Sequence, residues 1–233
     1  MAELSAGVEQ SAEGVGGADA GGAAGANRFV AIEGVIGVGK TTLARKLAKS
    51  LGAACVLEIV EENPFLARFY EDPEAYAFQT QIFFLLSRYR QQLELSQRDL
   101  FAQSVVSDYI FAKDQIFATI NLAEDELALY RALVPLLEAR LVPPDLIVYL
   151  QATTDVLLQR IRRRGRSFER DISREYLEML GEAYNHFFFH YEEAPLLIVN
   201  TNEMNLVDNE EDYERLLGLI RAHTSGTRYV GVR

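Results

Sequence analysis

From Phe29 onward the apolar residues fall into two alternating patterns. Short runs rich in Val, Ile and Leu alternate with longer stretches in which apolar residues recur every three or four positions. The short runs are FVAIE (29–33), ACVLEI (54–59), SVVS (104–107), LIVYL (146–150) and LLIVN (196–200). None alternates cleanly between apolar and polar, as expected of strands buried on both faces of a parallel sheet. The longer stretches carry helix-start chemistry. Asp72-Pro73-Glu74 supplies a cap, a first-turn proline and an acid ahead of a periodic stretch that runs to about Arg98. Asn121 with Glu124 resembles a capping box, and Thr153 with Asp155 and Ser173 with Glu175 open further helices. Repeated strand–helix alternation predicts an α/β fold: an open parallel five-stranded sheet with helices on both faces and ligands at the carboxyl ends of the strands.

Composition narrows the picture. Residues 1–27 are mostly Ala, Gly and acidic or small polar residues, too little apolar surface to offset ordering entropy, and are expected to form a disordered tail. The domain is then 28–233. The tail has no Lys or Arg and no apolar core of a secretory signal, so a cytoplasmic location is expected. A net charge of −11 argues against a broad nucleic-acid surface. No apolar run approaches the roughly 18 residues that span a membrane. The single Cys55 excludes an internal disulfide. Against this acidic background, Arg160, Arg162, Arg163, Arg164, Arg166, Arg170 and Arg174 crowd one segment. That density suits either a small anionic ligand or a solvated basic helix end.

GVIGVGKT (34–41) fits G-x-x-x-x-G-K-[ST], with a strand before it and a helix after it. Gly34, Gly37 and Gly39 let the backbone curl so that its N–H groups face phosphate oxygens. Lys40 would reach the β- and γ-phosphates, Thr41 would offer its hydroxyl to Mg²⁺, and Thr42 follows in the same turn. The guanine-reading Asn-Lys-x-Asp of GTPases is absent, which leaves a small-metabolite kinase using ATP.

Glu58 sits near the carboxyl end of the second strand, beside this loop, where a carboxylate can take a proton from an attacking hydroxyl. Asp108 ends the third strand and fits two roles, a Mg²⁺ neighbour or a cap for the helix that follows. Gln81, Leu85 and Arg88 share one face of the long helix. Gln81 can both donate and accept, as reading a base edge requires.

Over Phe29 to about Tyr213 the chain resembles the deoxynucleoside kinases, which include deoxycytidine, deoxyguanosine and bacterial deoxyadenosine kinases. The stretches that carry the resemblance are IEGVIGVGKTT, FYEDPEAYAFQTQIFFLLSRYR, SDYIFAKD, PDLIVYLQAT, RRRGR and REYLEML. It implies transfer of the ATP γ-phosphoryl group to the 5′-hydroxyl of a 2′-deoxynucleoside, with a purine favoured, and a homodimer. By position it makes Glu58 the base for the 5′-hydroxyl, and Tyr70 with Glu175 the pair on the sugar 3′-hydroxyl. Gln81 reads the base and Arg88 stands one step along. Arg164, Arg166 and Arg170 belong to an arginine-rich lid over the phosphates. Asn202 to Asn205 lines the ATP adenine, and Asp108 has a base-reading role as a further alternative. Two departures stand out. Glu58-Ile59-Val60 replaces the family's Glu-Pro-Val, and Ser107-Asp108-Tyr109 lacks the arginine of its acid-Arg-Ser motif, leaving Arg88 or Lys113 to substitute. The rival readings are a nucleoside monophosphate kinase of the thymidylate kinase type and a non-catalytic nucleotide-binding regulator.

Overall fold

The computed structural model describes residues 28–97, 104–202, 204–206 and 209–231; the expected tail at 1–27 lies outside them. In chain order the elements are β1 (Phe29–Gly34), α1 (Lys40–Leu51), β2 (Ala54–Val56), α2 (Leu66–Glu71), α3 (Pro73–Gln97), β3 (Val105–Ser107), α4 (Lys113–Asn121), α5 (Glu124–Glu138) and β4 (Leu146–Gln151). Then come α6 (Thr154–Arg164), a 3₁₀ turn (Ser167–Glu169), α7 (Arg174–Phe189), β5 (Leu196–Asn200), α8 (Glu210–Ala222) and β6 (Thr227–Val230).

The strands form one parallel sheet in the order β2-β3-β1-β4-β5-β6. The chain steps from β1 outward to β2, returns through β3 and then crosses to β4 on the other side. The carboxyl ends of β1 and β3 therefore flank a topological switch point, the place where open α/β sheets bind ligands. β1, β4 and β5 are almost wholly buried, which is why their sequences read as continuous apolar runs.

The sheet has six strands, one more than expected. Thr227, Arg228 and Tyr229 of β6 are exposed, so this edge strand has no apolar run to betray it. The other edge, β2, is shorter than expected and leaves the sheet after Val56, freeing Leu57–Ile59 as a loop. The start of α5 also differs: Asn121 closes α4, and α5 begins from Ala123, whose N–H is taken by the Glu126 carboxylate at 3.1 Å. The expected starts of α3 and α7 hold, with Asp72 accepting from the Ala75 N–H and Ser173 from the Tyr176 N–H.

Two apolar clusters form the interior. One packs α1, α7 and α8 against the sheet through residues such as Leu47, Tyr184 and Leu216. The other joins α2, α3 and α5 through Phe69, Leu85, Tyr130 and Val134. Tyr70 and Tyr176 touch both, and a cavity opens where the clusters meet.

Candidate active site

β1 delivers the chain to Gly34, and α1 starts from Gly39 five residues later. The loop between them fits only if two glycines stay glycine. A Cβ on Gly34 would meet the Leu150 carbonyl oxygen at 2.5 Å, and one on Gly37 would meet Ile161 Cγ1 at 2.7 Å. Both residues also have φ in the left-handed range. Lys40 Nζ donates to the Gly34 carbonyl at 2.7 Å and the Val35 carbonyl at 3.3 Å, folded back over its own loop. Burial, with the Lys113 ammonium nearby, brings Lys40 down to about 8 against the pull of Glu33, Glu58 and Asp108. Arg160 of α6 fastens the loop from outside, donating to the Val38 carbonyl at 3.0 Å and to the Thr201 carbonyl at 2.9 Å.

Asp108 links this loop to the opposite wall. One carboxylate oxygen accepts from the Thr41 hydroxyl at 2.6 Å, and the other from the Glu58 N–H at 2.7 Å. Its expected role as a helix cap gives way, since α4 starts at Lys113 and is capped by Ala112, four residues after Asp108. Glu58 lies two residues past the end of β2. Its Oε1 accepts from Arg88 Nε at 2.9 Å and its Oε2 from Lys113 Nζ at 2.7 Å. Burial pushes the Glu58 carboxyl up, but the Lys113 ammonium and the Arg88 guanidinium outweigh it and hold it well below the usual carboxylate range.

Arg88 pairs also with the fully buried Asp114. Asp114 in turn accepts from the Tyr130 hydroxyl at 2.8 Å, and its backbone carbonyl accepts from Gln81 Nε2 at 2.9 Å. A buried carboxylate this well bonded is affordable, whereas an unpaired one would not be. Gln81 and Arg88 thus make a polar floor in a cavity whose apolar lining includes Leu66, Phe69, Phe84 and Phe117, with Asp114 buried behind that floor.

Across from the floor, Tyr70 stacks on Phe168 with ring centroids 6.4 Å apart. Burial first, then Tyr176 and Glu169, pushes the Tyr70 hydroxyl well above its ordinary value. Arg164, at the end of α6, donates through Nε to Glu169 Oε2 at 3.0 Å. Arg166 reaches Glu61 at 2.6 Å and the second Glu169 oxygen at 3.6 Å. Both arginines therefore line the cavity with carboxylate partners.

The structure brings Gly37, Lys40, Thr41, Glu58, Tyr70, Gln81, Arg88, Asp108, Arg164 and Arg166 to one cavity wall or another. Of the other expected residues, Gly34, Gly39 and Thr42 belong to the phosphate loop and the start of α1 without lining the cavity, and four more stand apart. Glu175 is exposed on the first turn of α7, and its neighbour Tyr176 turns inward instead, about 100° around the helix. The carboxylate that does line the cavity near Tyr70 is Glu169, 4% exposed and in the 3₁₀ turn. Arg170, next in sequence, is exposed and outside the wall. Asn202 and Asn205 lie in the loop after β5, where Asn202 Oδ1 accepts from the Thr153 N–H and the Asn205 N–H donates to Asp212. Sequence reasoning missed Asp114 and Glu169. The signal for Glu169 was an acid directly beside the lid arginines; for Asp114 it was a lone acid in an apolar helix start.

The sequence model of the family described as deoxynucleoside kinase matches residues 30–225. The chain is 38% identical over 198 residues to the deoxyguanosine kinase of Bacillus subtilis (strain 168), covering 83% of this chain and 96% of that one. It is 35% identical over 207 residues to the deoxyadenosine kinase of Dictyostelium discoideum, covering 86% and 81%. Among solved structures, deoxyadenosine kinase from M. mycoides with bound dATP superimposes with a TM-score of 0.74 at 27% identity, covering 84% of this chain and 100% of that one.

Proposed function

The chain belongs to the deoxynucleoside kinase family and is a phosphotransferase, and on that premise we propose that it moves the γ-phosphoryl group of ATP to the 5′-hydroxyl of a purine 2′-deoxynucleoside. The observation that carries this reading is the position of Glu58. Its backbone N–H bonds to Asp108, which holds Thr41 of the phosphate loop, while its carboxylate accepts from Arg88, which shares the cavity floor with Gln81. A nucleoside laid with its base on the floor points its 5′-carbon toward Glu58 and the loop.

Such a transfer needs positioning and charge stabilisation more than covalent chemistry. Lys40 leaves the carbonyls it caps and turns to the phosphates, and Arg164 and Arg166 add charge from the lid side. Glu58 orients the 5′-hydroxyl by accepting its hydrogen bond. Its depressed basicity suits a loose transition state, in which the proton leaves late. Lys113, at 2.7 Å from Glu58, supplies the positive charge that the missing motif arginine would have brought. Glu169 and Tyr70 face the sugar from the opposite wall, the assignment that replaces Glu175.

The Thr41 hydroxyl and the Asp108 carboxylate are adjacent hard oxygen donors, which suits Mg²⁺. Among the described residues there is no cluster of three or more His, Cys, Asp or Glu fit to hold a metal. An ion carried mainly on substrate phosphates needs no more than one or two protein oxygens. Bound there, Mg²⁺ would neutralise charge on the β- and γ-phosphates.

For the base, the Gln81 amide offers a donor and an acceptor, which suits adenine, and the nearby Arg88 adds the further donor that guanine requires. The names of the relatives, deoxyguanosine kinase and deoxyadenosine kinase, support the same choice. On α5, Leu129, Leu133 and Leu136 are exposed in one row at spacings of four and three, which supports a homodimer through that face. No helix among the described residues is long and apolar enough to cross a membrane. The exposed, unpaired Cys55 suits a reducing compartment, and we assign the reaction to the cytoplasm.

The decisive experiment is an ATP-coupled assay over the four 2′-deoxynucleosides and their 5′-monophosphates. The highest kcat/KM is expected for deoxyadenosine or deoxyguanosine. A best rate on thymidine or deoxycytidine overturns the base assignment. A best rate on a monophosphate overturns the acceptor assignment.

A further inference from the structure

Thr80 precedes Gln81 on α3 and lines the same cavity. It is 6% exposed, yet its side-chain oxygen has no hydrogen-bond partner among the described residues. The polar side chains around it are served: Gln81 donates to the Asp114 carbonyl, Arg88 to Glu58 and Asp114, and Asp108 accepts from Thr41 and Glu58. A buried polar atom without a partner is costly and rare enough to call for an explanation. Valine would fill the same space with nothing stranded, so packing gives no reason for the hydroxyl.

The backbone here is not free to adjust. The Thr80 carbonyl accepts from Asn63 Nδ2 at 3.2 Å, within the segment that leads from Glu58 to α2. What remains is rotation about χ1, which exchanges the methyl and hydroxyl positions without moving the helix. On the cavity face of α3, Ala77 lies three residues before Thr80 and Phe84 four residues after it, both without side-chain polar atoms. The hydroxyl is thus the polar atom that interrupts an apolar row beside the Gln81 amide.

We propose that the Thr80 hydroxyl is a specificity contact to the nucleobase, turned to its partner when a purine occupies the cavity. This rests on the nucleoside kinase reading and adds to it a residue that explains acceptance of both purines. A hydroxyl can accept from an exocyclic amino group or donate to an exocyclic oxygen, and a simple rotor serves either. A fixed amide alone, already committed through Nε2 to Asp114, is less adaptable.

The test compares wild type, Thr80→Val and Thr80→Ser with all four deoxynucleosides. Thr80→Val is expected to lose roughly tenfold in kcat/KM on purines, mainly through KM. Its KM for ATP and its rates on pyrimidines should stay within about twofold, while Thr80→Ser keeps most of the purine activity. Ligand-free, Thr80→Val should melt at or above the wild-type temperature, because nothing in the empty protein bonds to the hydroxyl. Three results overturn the contact: an unchanged profile in Thr80→Val, an equal loss on all four nucleosides, which would mean a sugar contact, or a lowered Tm in the ligand-free variant, which would mean a structural bond. Wild type inactive on every nucleoside would instead overturn the kinase reading, and this contact with it.

Discussion

Residues 34–42 reach the cavity as one uninterrupted piece of chain, whereas the facing wall is gathered from α2, α3, the ends of β2 and β3, α4 and the turn after α6. The first region works through backbone: glycines that admit no Cβ, a loop of N–H groups and the start of α1. The second works through side-chain charge, with Arg88 and Lys113 set against Glu58 and Asp114. A backbone site has one construction and announces itself in sequence. A charge-network site can be assembled from many positions, and only the fold decides which.

Breaking the backbone side should have the largest effect. Lys40→Ala removes the one side chain that region contributes to the phosphates. Phosphoryl transfer should fall by at least roughly 10²- to 10³-fold, with an unchanged circular dichroism spectrum and a Tm within a few degrees of wild type. A folded variant with near wild-type kcat would remove the donor site from this loop.

The charge network should respond more gently and in a pH-dependent way. Glu58 is held below its ordinary value of 4.5, so it stays ionised as pH falls through the usual carboxylate range. Its ion pairs contribute stability that is fully present above about 4.5 and lost only as pH drops toward the depressed folded value. Wild-type kcat/KM for the nucleoside should accordingly show no acid limb from this group between about pH 7 and 5. Lys113→Met removes one of the two cations and lets burial push the carboxyl back up. Its acid limb should move to higher pH, with kcat lowered roughly tenfold at neutral pH. Parallel profiles for the two proteins would show that Lys113 does not govern Glu58.

The smallest effect separates two carboxylates six residues apart. Glu169→Gln should raise the nucleoside KM about five- to tenfold, since Glu169 lines the cavity and steadies Arg164. Glu175→Gln should stay within about twofold, as expected of an exposed surface change. The reverse ranking would restore the assignment made from resemblance.

This pair also shows where sequence reading fails. β1, β4 and β5 were legible to within a residue because burial on both faces leaves a continuous apolar signature. β6 was not, because an exposed edge strand pairs through backbone and leaves its side chains free to be polar. Lys40, Thr41 and Glu58 were legible because their place follows from the strand ends that carry them. Choosing between Glu169 and Glu175 depends on how the chain turns after Gly165, a tertiary detail that six residues of spacing do not encode. Asp114 was hidden for a related reason: its partner Arg88 lies 26 residues away on another helix.

Arg88, Lys113, Glu58 and Asp114 carry two formal positive and two formal negative charges, packed together and shielded from water. A neutral nucleoside entering this set leaves the balance at zero. On the proposed reaction, what leaves is a phosphate monoester bearing about −1.5 to −2 charge at pH 7. That charge forms against the Glu58 carboxylate, in surroundings of low polarisability where like charges repel strongly. The carboxylate that receives the neutral acceptor thus opposes the charged product, and the Arg88 and Lys113 cations paired with it are what offset that repulsion.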